Sequence, residues 1–95
     1  MSDVYVVATS RAKQGSTAAL RAVLESLIAP TRLEDGCLSY NLYAGEDDSF
    51  LFFEHWASPA ALDAHSKTPR FLKTIGEAQQ LTDGAMDVKV LKTLG

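Results

Sequence analysis

The chain has 95 residues, nine basic and twelve acidic side chains, a formal net charge of −3, and 46% hydrophobic against 22% charged residues. This is globular composition, not disordered, and the length suits a single domain over residues 1–95. An acidic balance argues against a nucleic-acid partner, which needs a basic stripe, and no apolar run approaches the roughly 18 residues of a membrane span.

The opening MSDVYVVATS has no basic segment ahead of an apolar one, so no secretory signal is expected. The single cysteine, Cys37, has no internal disulfide partner and fits a reducing cytoplasm.

In chain order, residues 4–10, VYVVATS, are β-branched and aromatic and predict a first strand. Gly15-Ser16 opens a helix whose apolar positions are Leu20, Val23, Leu24, Leu27 and Ile28, one stripe facing a core. Pro30 is expected to kink or tighten it, and Glu34-Asp35-Gly36 to stop it, Gly36 being free to take positive φ. Residues 37–44 predict a second strand, 45–49 a polar hairpin loop, and 50–56 a third strand. Ser58-Pro59 and Thr68-Pro69 each read as a hydroxyl N-cap followed by proline at the first helical position, so the next helical region comes in two pieces. Phe71, Leu72, Ile75 and Ala78 keep helical spacing in the second piece, and residues 86–93 predict a fourth strand.

This order is β-α-β-β-α-β, an α+β ferredoxin-like arrangement with a four-stranded antiparallel sheet and strands one and three central. Both of those strands are apolar on both parities: Val4, Val6 and Ala8 against Tyr5 and Val7, and Phe50, Phe52 and Trp56 against Leu51 and Phe53. The helices cover one face of the sheet. A second copy is the simplest cover for the other, so a homodimer with face-to-face sheets is expected.

Gly15, Ala29-Pro30-Thr31-Arg32 with Gly36-Cys37-Leu38-Ser39-Tyr40, Glu54-His55-Trp56, and Ala61-Leu62-Asp63-Ala64-His65 with Thr68-Pro69-Arg70-Phe71 occur in an order that resembles the antibiotic biosynthesis monooxygenase family. The resemblance covers nearly the whole chain and implies a dimeric α+β barrel with a pocket in each subunit, between sheet and helices. The family is mixed. It holds cofactor-free monooxygenases of phenols and quinols, haem-degrading enzymes, and an isomerase of a phosphorylated signalling-sugar derivative. The resemblance implies Trp56 in the pocket, with Phe52 where the monooxygenases carry an asparagine. The haem-degrading residues would fall on Ser10, His65 and Ile75, none of which matches, so no haem is expected.

His65, on the inner face of its helix, is the candidate base, since imidazole titrates near neutral pH. Trp56 is the second candidate catalytic residue, as a substrate wall with a donor N–H. Phe52, Phe71 and Tyr40 are candidate substrate-binding residues, and Arg70, near a helix start, could attract an acidic substrate. Glu54 lies in an apolar strand and needs a partner. Arg32 is the expected one, the two together orienting the base. His55 falls on the opposite parity, towards the partner sheet or the rim. No HxxEH or CxxC motif suggests a metal and no Gly-rich loop a nucleotide, so no cofactor is expected. Three readings follow: a cofactor-independent monooxygenase of a small quinol-type aromatic, a proton-transfer isomerase of a small carbonyl compound, or a non-catalytic small-ligand-binding dimer.

Overall fold

The computed structural model describes residues 2–95. Its elements run β1 (Val4–Arg11), α1 (Thr17–Glu25), α2 (Ile28–Arg32), β2 (Cys37–Ala44), β3 (Ser49–Trp56), α3 (Pro59–Ser66), α4 (Pro69–Gln79) and β4 (Asp87–Leu91). The strands form one antiparallel sheet in the order β2-β3-β1-β4, so β1 and β3 are central, as their apolar character on both parities predicts.

The expected first helix is divided. α1 ends at Glu25 and α2 begins at Ile28, placing Pro30 in the first turn of a new helix. A proline is tolerated there, because the first N–H groups of a helix have no intrahelical acceptor. Leu20, Leu24 and Leu27 of the apolar stripe are buried, each worth about 1.5–3 kcal/mol of burial. The last strand is shorter than expected, Asp87–Leu91 instead of 86–93.

Both proline-marked helix starts form. Ser58 Oγ accepts the Ala61 N–H at 3.1 Å and Thr68 Oγ1 accepts the Phe71 N–H at 3.2 Å, so each cap satisfies an otherwise orphan donor. The β2–β3 hairpin turns through Asp47 and Asp48, both at positive φ, which matches the right-handed twist of the flanking strands.

The period of two divides the sheet. Val4, Val6, Ala8, Ser10, Phe50, Phe52, Glu54 and Trp56 are buried on the helix side. The other face carries Tyr5 stacked between Phe53 (5.9 Å between centroids) and His55 (4.1 Å), with Asp3 hydrogen-bonded to His55 at the end. Among the described residues no helix packs on it. Val88 and Val90 of β4 pair with Ala8 and Val6, yet are 59% and 56% exposed, so the helices leave that edge of the helix-side face open.

Candidate active site

Helices and sheet part on the β4 side to leave a cavity of about 590 Å³. Two rungs of the sheet make its floor. One is Tyr40, Glu54 and Val6, and the next is Phe52, Ala8 and Val88. Leu62, His65 and Ser66 of α3, with Phe71, Ile75 and Gln79 of α4, make the roof. Thr82 and residues 84–86 close one end.

His65 is the central polar group of the roof. It is 3% exposed, and its ring lies 4.7 Å from Trp56, 4.5 Å from Phe71 and 5.7 Å from Tyr40, centroid to centroid. Nδ1 lies 2.9 Å from Oε1 of Glu34. Nε2 is buried and has no hydrogen-bond partner among the described residues. Burial pushes the imidazole below its usual range, and Glu34 partly opposes this by favouring the cation. With Nδ1–H donated to the carboxylate, Nε2 carries the free lone pair.

Glu34 is not among the candidate site residues, since the sequence presents it only as part of a helix stop. It belongs to the turn between α2 and β2, where Cys37 N–H bonds its carbonyl at 3.2 Å. The turn docks closely on α3. Gly36 has φ +81°, and a Cβ there would stand 2.5 Å from the Cβ of Ala61, one helical turn before His65. The absence of that Cβ lets Glu34 approach the histidine.

Glu54 and Arg32 do not form the expected pair. Arg32 donates from Nε to the Tyr40 carbonyl (3.0 Å) and from Nη2 to Asn41 Oδ1 (2.9 Å). β2 is an edge strand whose outward carbonyls lack a ladder partner, and Arg32, at the exposed end of α2, takes one of them. Glu54 instead accepts the Trp56 indole N–H on Oε1 at 3.0 Å. Burial, more than the nearby Glu34 charge, pushes its carboxyl up to about 7, against the lowering effect of the indole bond. The buried acid moves towards neutrality where a cation was expected. Burial also holds the Tyr40 phenol well above its usual range.

Phe52, Phe71 and Tyr40 line the cavity, as does Ile75. Trp56 does not reach the cavity surface. It is fully buried behind His65 and Glu54 and touches both. Arg70 lies exposed on the first turn of α4, outside the lining. His55 is on the other face of the sheet. Among the described residues the lining holds no lysine or arginine, and no three His, Cys, Asp or Glu side chains gather as a metal-ligating group. Among the described residues no helix is long and apolar enough to cross a membrane.

Residues 3–77 match the family model described as antibiotic biosynthesis monooxygenase. Rv0793 of Mycobacterium tuberculosis, provisionally named a monooxygenase, is 39% identical over 94 residues, 98% of this chain and 93% of that protein. Its solved structure covers 99% of this chain and 97% of its own, with a TM-score of 0.94. YcnE of Bacillus subtilis, with the same provisional name, is 30% identical over 67% of this chain and 70% of that protein. The crystal structure of PA3566 from Pseudomonas aeruginosa is 31% identical, with a TM-score of 0.90 over 100% of this chain and 97% of that one.

Proposed function

Because the chain belongs to the antibiotic biosynthesis monooxygenase family, we propose that it is a cofactor-independent monooxygenase of a small, quinol-type aromatic, with His65 as its base. One observation supports the reading: His65 lines a largely hydrocarbon cavity, its Nδ1 is held by Glu34, and its buried Nε2 has no hydrogen-bond partner among the described residues. A base so placed takes the proton of a hydroxyl delivered to it. Phe52, Phe71 and Ile75 surround the resulting anion with hydrocarbon, which makes it a stronger reductant. The anion passes one electron to O2, and the radical and superoxide combine into a carbon-bound peroxide. Loss of water leaves the oxidised product. One oxygen atom is retained, the other leaves as water, and the four electrons come from the substrate.

The test is oxygen uptake over a panel of hydroquinones and naphthohydroquinones. Wild type is expected to consume oxygen with at least one, and His65→Gln to lower turnover by about two to four orders of magnitude with its fold intact. Proton exchange into a small carbonyl compound without oxygen uptake would favour the isomerase reading. Ligand binding with neither reaction would favour a binding protein. A phosphorylated substrate would find no cation in the cavity lining, which counts against the isomerase.

The reading includes a homodimer joined through the sheet face that carries Tyr5, Val7, Leu51 and Phe53, and action in a reducing cytoplasm, where the free thiol of Cys37 is stable.

A further inference from the structure

Glu54 stands in the cavity floor at the middle of β3, between Tyr40 of β2 and Val6 of β1. It is buried, yet it lines the cavity. The indole of Trp56 donates to Oε1 and fixes the plane of the carboxyl. Indole has only one N–H, so Oε2 is left as the oxygen available to the cavity. The titratable groups around it are Tyr40 and Cys37 on β2, Glu34 in the α2–β2 turn and His65 on α3. Val6 and Val90, its rung-mates on β1 and β4, are hydrocarbon.

We infer that Glu54 is a specificity-determining residue that touches the substrate: its Oε2 is the second polar anchor of the cavity, selecting an uncharged aromatic with a further oxygen on the ring position away from the hydroxyl presented to His65. The inference rests on the proposed reading of the cavity as a site for a hydroxylated aromatic. His65 lies in the roof and Glu54 in the floor, and Trp56 touches both from behind. A ring with oxygens para to one another addresses both groups, and the aromatic walls accept its faces. A carboxylated or phosphorylated ring would meet the carboxyl of Glu54 and no lysine or arginine, so the site disfavours it. With its carboxyl pushed up to about 7, Glu54 is a hydrogen-bond donor on the acid side of neutrality and only an acceptor on the alkaline side.

Two ligands of matched size separate these states: 4-methoxy-1-naphthol, with an ether oxygen para to the hydroxyl, and 4-ethyl-1-naphthol, without one. Trp56 is the only tryptophan, so its fluorescence reports binding. At pH 6 the methoxy compound should bind wild type about tenfold more tightly, the worth of one hydrogen bond. At pH 8.5 that advantage should vanish, because a carboxylate cannot donate to an ether. Glu54→Gln should keep the advantage at both pH values, and Glu54→Leu should lose it at both. Equal affinities in wild type at pH 6, an advantage that survives in Glu54→Leu, or no binding of either naphthol overturns the inference. Should Glu54→Leu fail to fold, the contrast between wild type and Glu54→Gln decides. Binding is read without turnover. A preference that depends on Glu54 in a protein that oxidises no quinol therefore counts against the oxygenase reading and not against this one.

Discussion

Glu34 and His65, 31 residues apart in the chain, meet at 2.9 Å through a carboxylate oxygen and Nδ1. The pair joins the turn before β2 to the last turn of α3, and it orients the imidazole. The Glu34 side chain is 19% exposed, so its charge is only partly screened, and it opposes the desolvation that otherwise keeps His65 neutral.

Removing that carboxylate has two separable effects. Glu34→Ala should lower kcat by about two orders of magnitude with little change in KM, because the ring loses its tautomer and aim. A fully buried carboxylate in a serine-protease triad costs about 10⁴. Glu34→Gln still offers an acceptor but no charge. Its acid limb in a pH–rate profile should move to lower pH, since the interaction that favours imidazolium is gone. An acid limb that stays in place would mean that His65 does not feel Glu34.

Local signals carried the helix starts. Ser58 and Thr68 cap the helices they precede, because a hydroxyl next to a proline needs no tertiary help to do so. The period of two put Phe52 and Glu54 on the cavity floor, and helical spacing put His65 in the roof. Glu34 was illegible because its context, Glu-Asp-Gly, is a helix stop, and its approach to His65 depends on how a turn docks on a distant helix. Arg32 departs from its expected pairing for a different reason. A buried carboxylate invites a cation on paper, but this one is held by an indole and pushed towards neutrality. Trp56 shares a sheet face with Glu54, but stands so deep that it supports the site without lining it.

Gly36 should be the least replaceable glycine. Alanine there must take φ +81° and also drive its Cβ to 2.5 Å from that of Ala61. Gly15→Ala is the control, with φ +80° and nothing within 4 Å of a new Cβ. The control should lose about 1–2 kcal/mol for its left-handed backbone. Gly36→Ala should lose roughly 1–3 kcal/mol more from overpacking, and should weaken the coupling of Glu34 to His65. Equal losses in urea denaturation would show that the turn does not need this close approach.

The sheet face opposite the helices should be a dimer interface. Tyr5, Val7, Leu51 and Phe53 present hydrocarbon there, and Phe53 stays 39% exposed in a single chain. An obligate interface of this kind buries more than roughly 2,000 Å² in total. Sedimentation at micromolar concentration is expected to give a dimer. Phe53→Lys should shift it towards monomer and lower stability. A wild-type monomer at that concentration rules the interface out.

Glu54 should make the fold less stable as pH rises through neutrality. Its carboxyl lies at about 7 in the folded chain against an ordinary 4.5. Between those values the native state holds a proton that the unfolded chain has released, so stability falls as pH climbs through the window and levels off above it. Taken to the end, the shift corresponds to about 3 kcal/mol. His65 acts in the other sense. Its lowered pKa means that the unfolded imidazole takes up a proton first, so stability is lost as pH falls below about 6.5, the ordinary value. Glu54→Gln removes only the first slope and keeps an oxygen for the Trp56 indole. Urea denaturation should therefore find Glu54→Gln close to wild type at pH 4.5 and more stable by up to about 3 kcal/mol at pH 8. If the variant differs from wild type by the same amount at both pH values, Glu54 does not enter the folded state as a proton-holding acid.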